Sequence, residues 1–205
     1  DLWNGQALVS MVGFQFLRTR VCGVPVPYHT DFEEVNLRFY VKRPCEEGWR
    51  RGVVFVKEIV PRWAIATVAR LFYNENYVAL PMRHQLPETS GAGGTFEYRW
   101  RLDGTWHRLA AKSRGELGPL AGGSEEEFIF EHYWGYARQP DGGTVEYQVE
   151  HLPWRAFRAE DARFECDVAR LYGGRFAAAL SAAPCSAFVA EGSPVAVYRG
   201  RRVSV

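Results

Sequence analysis

One stretch of this sequence, residues 34–41 within the predicted strand 32–43, alternates strictly between apolar and polar side chains. The apolar positions are Val35, Leu37, Phe39 and Val41, and the polar positions are Glu34, Asn36, Arg38 and Tyr40. A period of two is the period of a β-strand, so the four polar side chains form a row on one face of a sheet. Such a row either faces bulk water or lines a polar cavity inside a barrel. Because the opposite face is fully apolar and can serve as the outer packing layer, we expect the row to line a cavity.

A second strand and a helix are predicted directly after this stretch. Residues 51–60 have the apolar and β-branched content of a buried strand. Pro61 then stands where a helix can begin, because the first turn does not need the backbone N–H that proline lacks. The apolar positions that follow at helical spacing are Ile65, Val68, Ala69 and Phe72. The sequence therefore predicts one main helix over residues 61–74.

The rest of the chain is predicted to form mostly strands and turns. We expect a strand over residues 6–19, a hairpin that pairs 95–102 with 105–112, and a second hairpin that pairs 128–138 with 144–151. A turn over 152–157 and short helices over 165–183, broken at Gly173–Gly174, are expected to follow. The last expected element is a hairpin over 186–203. Asp103–Gly104 is the clearest turn signal, and it places Trp100 opposite His107. With no repeat and no linker, we predict a single α+β domain over residues 1–205, dominated by antiparallel sheet.

Composition argues against several kinds of partner. The net charge is +1 and both signs are spread along the chain, so nucleic acid and anionic membrane surfaces are not expected as partners. No apolar run approaches the ~18 residues of a membrane span and no signal peptide is present, so we expect a cytoplasmic protein. The four cysteines are far apart and the five histidines have no ligand spacing, so we expect no disulfide framework, metal or cofactor. Because the chain begins at Asp1, we expect a short N-terminal segment to be missing.

Two neighbouring charges lie inside the second predicted strand. With unbroken alternation, Lys57 shares a face with Val53, Phe55 and Ile59, and Glu58 shares the other with Val54, Val56 and Val60. A charge on an apolar face must be paired, exposed or shifted in pKa. Glu58 is therefore either a paired structural charge or an acid or base that lines the cavity.

His151 is the third candidate for acid–base chemistry. It lies on an apolar face with Tyr147 and Val149, where a histidine is either a satisfied core residue or a catalytic base. Glu131 and Tyr133, on the strand predicted to pair with it, are its expected partners. No standard motif for a catalytic serine, a zinc protease, a phosphate-binding loop or a dinucleotide is present.

Five segments, residues 23–43, 50–82, 128–136, 151–157 and 190–200, together resemble the YqjF-like family of uncharacterised bacterial proteins. The resemblance spans essentially the whole chain. That family is similar in fold to acetoacetate decarboxylase. The resemblance therefore implies a cone-shaped antiparallel β-barrel with a central pocket, one main helix and short flanking helices.

The same resemblance argues against decarboxylase chemistry. Acetoacetate decarboxylase forms a Schiff base through one of two adjacent lysines, just beyond the equivalent of the main helix. Here that place holds Asn74, Glu75, Asn76 and Tyr77, and no lysine occurs between Lys57 and Lys112. We therefore expect no acetoacetate decarboxylase activity.

Three functions remain open at this point. The first is an enzyme, of lyase or hydrolase type, acting on a small polar or carboxylate-bearing molecule. Its predicted catalytic residues are Glu34, Glu58 and His151, and its predicted ligand-binding residues are Asn36, Arg38, Tyr40, Tyr77, Glu131 and Tyr133. The second is a non-catalytic binder or sensor that uses the same pocket. The third is a structural module with a filled barrel that forms homo-oligomers.

Overall fold

The protein is described by a computed structural model over residues 1–21, 24–25, 30–63, 76–88 and 93–203. The main helix predicted over residues 61–74 lies outside these ranges except for its first three residues. Asn74 and Glu75 lie outside them as well. Within the described ranges, no helix combines the length and apolarity that crossing a membrane requires.

Strands make up most of the described chain. In chain order they are β1 Val9–Phe16, β2 Arg20–Val21, β3 Val24–Pro25, β4 Phe32–Cys45, β5 Gly48–Val60, β6 Tyr77–Ala79, β7 Met82–Gln85, β8 Thr95–Leu102, β9 Thr105–Pro119, β10 Trp134–Arg138, β11 Thr144–His151, β12 Arg155–Glu165, β13 Phe188–Ala190, β14 Val195–Val197 and β15 Arg201–Val203. The described helices are α1 Glu125–Phe130, α2 Val168–Tyr172 and α3 Ala177–Ser181, with a 3₁₀ turn at Gly174–Phe176. The predicted class, α+β with mostly antiparallel strands, is confirmed.

The larger of the two main sheets has eight strands, in the order β1-β4-β5-β10-β11-β14, with β6 also on β5 and β15 also on β11. Its pairs are antiparallel except those of β5 with β6 and with β10. In the described part of the chain no pairing joins β1 to β14. A barrel closes only when its edge strands pair, and β14 has just three residues. The sheet is therefore a curled half-barrel, and the predicted closed cone is wrong in this respect.

The second main sheet has five strands in the order β13-β12-β9-β8-β7 and packs against the first. The contact is made by one face of β4 and β5, which we call the packing face and which carries Val35, Leu37 and Ile59, all 0% exposed. Their partners are Tyr98 and Trp100 of β8 and the buried side chains of α2. Burying such an aliphatic side chain contributes about 1.5–3 kcal/mol, so this contact fixes which way β4 faces.

Strand β5 carries one residue more than its partner. Leu37 pairs with Lys57 while Arg38 pairs with Phe55, which leaves Val56 unpaired as a β-bulge. A bulge breaks the alternation of side chains in the strand that carries it. Beyond Val56, the side chains of β5 therefore exchange faces relative to the unbroken pattern.

A buried carboxylate joins five strands on the packing-face side of β10 and β11. Glu146 of β11 is 0% exposed. It accepts from Arg43 Nε at 2.8 Å, from Arg50 Nη1 at 2.7 Å and from Arg201 Nη2 at 3.1 Å. The Tyr136 hydroxyl donates to it at 3.1 Å. These donors come from β4, β5, β15 and β10, so one side chain links the long hairpin to the end of the chain.

Turns with a local cause are predicted correctly. At Asp103–Gly104 both residues have positive φ, 47° and 87°, as a type I′ turn requires, and Trp100 does pair with His107. The short helical pieces also break at Gly173, whose φ is 92°. These outcomes rest on backbone conformations that only a few residue types adopt readily.

Three expectations that depend on pairing or capping are wrong. Residues 128–130 belong to α1, which begins because the Ser124 hydroxyl accepts from Glu127 N at 3.2 Å. Residues 155–157 begin the long strand β12, where a turn was expected. The last predicted hairpin does not form, because β13 pairs with β12 and β14 pairs with β11.

Candidate functional site

The polar row of β4 is buried. Glu34, Asn36 and Tyr40 are 1%, 2% and 4% exposed, and Arg38 is half-buried. We call this side of the larger sheet the polar face; the ladder pairs place Glu58 and Tyr77 on it as well. At these exposures, Glu34, Asn36 and Tyr40 do not face bulk water.

Glu34 is held by two hydrogen bonds. Its Oε1 accepts from Asn36 Nδ2 at 2.9 Å and its Oε2 accepts from the Tyr77 hydroxyl at 3.1 Å. Burial raises the pKa of the Glu34 carboxyl to about 7, against the opposing effect of these two bonds and of the Arg38 charge. The carboxyl can therefore gain or lose a proton near neutral pH.

Tyr77 lies between two carboxyl groups. Its hydroxyl bonds Glu34, and it is also hydrogen-bonded with Glu58, which is 2% exposed. Burial raises the pKa of the phenol well above its ordinary value, so it keeps its proton. A phenol hydroxyl donates only one hydrogen bond, so both contacts are satisfied together only when one carboxyl is protonated.

The bulge in β5 decides which charge joins this group. Glu58 lies beside Asn36 on the polar face, and Lys57 lies beside Leu37 on the packing face. The expectation that Lys57 shares the face of Val53 and Phe55 is wrong, because the unpaired residue reverses the alternation. The amine of Lys57 instead donates to the carbonyl oxygen of Leu171 at 2.5 Å, and burial lowers its pKa.

The other lysine amines are also accounted for. The chain has three lysines, all within the described ranges. Lys42 lies over the ring of Trp49 at 5.2 Å from its centroid, and Lys112 lies 3.6 Å from Glu160 on the five-stranded sheet. None of the three contacts the group formed by Glu34, Asn36 and Tyr77.

Arg38 is a cation with few partners. Its Nη2 donates to the backbone oxygen of Ile129 at 3.3 Å, its Nε is buried without a hydrogen bond, and it makes no ion pair with any described residue. Its guanidinium carbon lies 5.7 Å from the ring centroid of Tyr40. Tyr40 is fixed by a 2.6 Å hydrogen bond to Ser10. Since a guanidinium has five donors, most of its hydrogen-bonding capacity is unused by the described residues.

His132 lies beside this cation and was not predicted from the sequence. Its ring is 4.7 Å from that of Tyr40. Burial, together with the charges of Arg51 and Arg38, lowers the pKa of His132 to about 3, so the imidazole is neutral at physiological pH. A histidine two residues beyond the end of a short helix gives no sequence signal of this burial. It adds a polar, uncharged side chain to the surroundings of Arg38.

Tyr147 is a second residue of the polar face that the sequence did not single out for the site. It pairs with Gly135 of β10 and is 6% exposed. A Cβ on Gly135 would lie 2.1 Å from the Tyr147 ring, so only glycine lets the ring lie across the neighbouring strand. A glycine inside a strand signals such a close approach, and that signal was present in the sequence.

His151, Tyr133 and Glu131 form a separate group. The His151 ring lies 4.8 Å from that of Tyr133 and stacks on Trp154 at 4.3 Å, and its Nδ1 is 2.9 Å from the oxygen of Leu152. The Tyr133 hydroxyl donates to Glu131, and burial raises the pKa of Tyr133 to about 12. The structure thus brings the three together, but His151 contacts neither Glu34 nor Glu58. Among the described residues, no three His, Cys, Asp or Glu side chains cluster as metal ligands.

Comparison with known proteins agrees with this fold. Residues 1–194 match DUF2071, a family described as an uncharacterized conserved protein, which confirms the resemblance seen in the sequence. No curated protein matches the chain. Solved structures of two enzymes also match the chain.

The enduracididine biosynthesis enzyme MppR complexed with pyruvate matches with a TM-score of 0.54 and 14% identity, over 87% of this chain and 68% of that one. The same enzyme with the condensation product of pyruvate and imidazole 4-carboxaldehyde gives 0.53 and 12%, over 86% and 67%. Acetoacetate decarboxylase from Legionella pneumophila gives 0.53 and 9%, over 96% and 84%. At such identities the likeness shows the fold alone.

Proposed function

The chain belongs to the DUF2071 family, and from this premise we propose that it binds a small carboxylate-bearing metabolite on the polar face of its larger sheet. The observation that carries the proposal is Arg38, a half-buried guanidinium whose described partners are one backbone carbonyl and an aromatic ring. A planar guanidinium fits a carboxylate through two parallel hydrogen bonds.

The surroundings of Arg38 leave its charge for a ligand. His132 is neutral, and the nearest acidic neighbour on the strand, Glu34, has a pKa of about 7 and bonds Asn36 and Tyr77. A buried charge without a counter-charge is costly, so an anion that pairs with Arg38 gains the interaction that the protein lacks.

The Glu34, Asn36, Tyr77 and Glu58 group supplies the second half of the proposed site. It offers amide, phenol and carboxyl groups that can bond the polar end of a ligand. A carboxyl that titrates near neutral pH can also accept and return a proton, which is what a general acid or base requires. If the protein is an enzyme, this group carries the proton transfer of a lyase- or hydrolase-type reaction.

Two of the fold neighbours support the ligand class. MppR was solved with pyruvate and with a condensation product of pyruvate, and pyruvate is a small carboxylate. We propose a ligand of the same chemical class here. The position of the lysines implies that it is held by hydrogen bonds and charge rather than by a Schiff base.

The test is a binding screen of small carboxylates by calorimetry, pyruvate included, on wild type and on Arg38→Met. We expect wild type to bind and Arg38→Met to lose binding while it stays folded. Arg114→Met, an exposed arginine on β9 with no ion pair to a described residue, is the matched control and should bind like wild type. Binding only of neutral aromatic compounds, equal in all three proteins, would show that the ligand class is wrong.

A second experiment separates an enzyme from a sensor. Glu34→Gln and Glu58→Gln should keep carboxylate binding, because Arg38 is untouched. If the protein is an enzyme, turnover of the bound molecule stops in these variants; if wild type binds without turnover, it is a sensor. If no carboxylate binds and the protein forms oligomers through a packed polar face, the structural alternative replaces the proposal.

A further inference from the structure

The amide of Asn36 has one polar atom without a partner. The residue is 2% exposed, and its Nδ2 donates to Glu34 Oε1 at 2.9 Å. Its Oδ1 is buried and makes no hydrogen bond within the described part of the chain. Buried polar atoms are nearly always hydrogen-bonded, because a carbonyl oxygen removed from water without a donor is costly. The polar face therefore contains an acceptor that no described residue uses.

The orientation of this amide follows from its neighbours. An ionised carboxylate only accepts hydrogen bonds, so the nitrogen of Asn36, and not its oxygen, points toward Glu34. On the neighbouring strand β1, Asn36 pairs with Val12, whose side chain has no donor. The next residue of β1 on the polar face is Ser10, and its hydroxyl is hydrogen-bonded to Tyr40 at 2.6 Å. Strand β1 therefore supplies no donor to Asn36 Oδ1.

Arg38 is the complementary group on the same face. Its Nε is a buried donor without an acceptor among the described residues. Asn36 and Arg38 are two residues apart on β4, so their side chains leave the strand about 7 Å apart on one face. One small molecule can therefore contact both, if it carries an anionic group for Arg38 and a hydrogen-bond donor for Asn36.

We propose that the ligand is a carboxylate that also carries a hydrogen-bond donor, a hydroxy or amino acid, and that Asn36 selects it against an oxo acid. This inference rests on the proposed function, because Arg38 has to bind the carboxylate. A hydroxyl or ammonium group donates to Asn36 Oδ1, whereas the carbonyl oxygen of an oxo acid only accepts and faces a second acceptor. A saturated acid leaves Oδ1 unpaired. A site built to bond a polar group discriminates strongly against a ligand that lacks it.

The test compares two sets of acids whose members differ at one carbon atom. The first set is 3-hydroxybutanoate, 3-aminobutanoate, acetoacetate and butanoate, and the second is lactate, alanine, pyruvate and propanoate. Calorimetry is done at pH 8, above the pKa of Glu34 of about 7, so that this carboxyl is ionised and the Asn36 amide stays oriented. We expect a hydroxy or amino acid of one set to bind at least about tenfold more tightly than its oxo and saturated analogues. The tighter of the two distinguishes a hydroxyl from an ammonium donor.

Two variants show whether Asn36 causes the preference. Asn36→Leu is close in volume and lacks the acceptor, so the preference should disappear. A general disturbance of the site would weaken all members of a set alike, so the ratio of their dissociation constants reports on the acceptor itself. Gln148→Leu removes an exposed amide on β11 and should keep the wild-type ratio.

The outcomes separate this inference from the proposed function. If wild type binds carboxylates through Arg38 but prefers the oxo or the saturated acid, or if the preference persists in Asn36→Leu, the inference is wrong and the proposed function stands. If no carboxylate binds, or if Arg38→Met binds all of them like wild type, both are wrong.

Discussion

At the scale of single residues, the site depends on how many protons the polar face holds. Glu34, Glu58 and Tyr77 share hydrogen bonds in a buried environment, where two adjacent carboxylates cannot both be charged at low cost. Burial raises the pKa of Glu34 to about 7, which is near physiological pH. The charge of the proposed site is therefore set by pH as well as by ligand.

The stability of the protein should consequently fall as pH rises from about 5 to about 8. The pKa of Glu34 is about 7 when folded and 4.5 ordinarily, so between these values the folded state holds a proton that the unfolded state has released. This contribution is full below the ordinary pKa and is lost as pH rises through the folded one. Glu34→Gln cannot ionise, so its free energy of unfolding should vary less across this range, by up to about 3 kcal/mol.

Urea unfolding at the two pH values measures this difference. Glu46→Gln, an exposed carboxyl at the β4–β5 turn, is the control and should keep the wild-type pH dependence. An unchanged slope in Glu34→Gln would mean that the proton resides elsewhere, with Glu58 the first residue to examine.

At the scale of elements, the larger sheet depends on one carboxylate that joins distant strands. Glu146 meets three guanidinium groups and a phenol from four other strands. The strands that it joins are far apart in sequence, from β4 to β15. Loss of the Glu146 carboxylate would therefore weaken the contacts among all five of these strands.

Glu146→Gln should lower the free energy of unfolding by about 3–5 kcal/mol, because Arg43 and Arg50, 22% and 15% exposed, lose their shared counter-charge. Arg201→Met should cost less than about 1 kcal/mol, because that side chain is 63% exposed. Equilibrium urea denaturation of both variants measures the two values. If both substitutions lowered the free energy of unfolding equally, the contact of Glu146 with β15, and not its contacts with Arg43 and Arg50, would account for most of its contribution to stability.

The sequence predicted elements whose cause is local and missed those whose cause is a partner strand. The alternation of β4 and the Asp103–Gly104 turn follow from side-chain period and backbone preference, and both were found. The pairing of β14 with β11 depends on residues far away in the chain and was not. The same holds within the site, where the row on β4 was predicted but His132 was not.

At the scale of the whole molecule, the chain shares its fold with MppR and with an acetoacetate decarboxylase. All three lysines lie away from the group of Glu34, Asn36 and Tyr77. The half-barrel therefore offers the same scaffold with carboxyl, phenol and guanidinium groups. Fold and reaction are separate properties in such a case.

Incubation with pyruvate or acetoacetate and sodium cyanoborohydride should accordingly leave the mass of the intact protein unchanged. A Schiff base needs an accessible unprotonated amine, and the amine of Lys57 is bonded to the Leu171 carbonyl on the packing face. Intact mass spectrometry gives the result, with Lys57→Arg as the control. An adduct on wild type that is absent from Lys57→Arg would restore Schiff-base chemistry from the other side of the sheet.

The unpaired Val56 has a consequence for how relatives of this protein can be compared. It shifts the pairing of β5 with β4 by one residue, so side chains after Val56 point to the opposite face from the one that regular alternation would give them. In a regular strand of the same sequence, Lys57 and not Glu58 would pair with Asn36. In a relative whose strand has no bulge, a sequence alignment without a gap here would match Glu58 to a residue on the packing face and Lys57 to a residue on the polar face. Equivalent site residues in relatives should therefore be identified from the strand pairing and not from the sequence alignment alone.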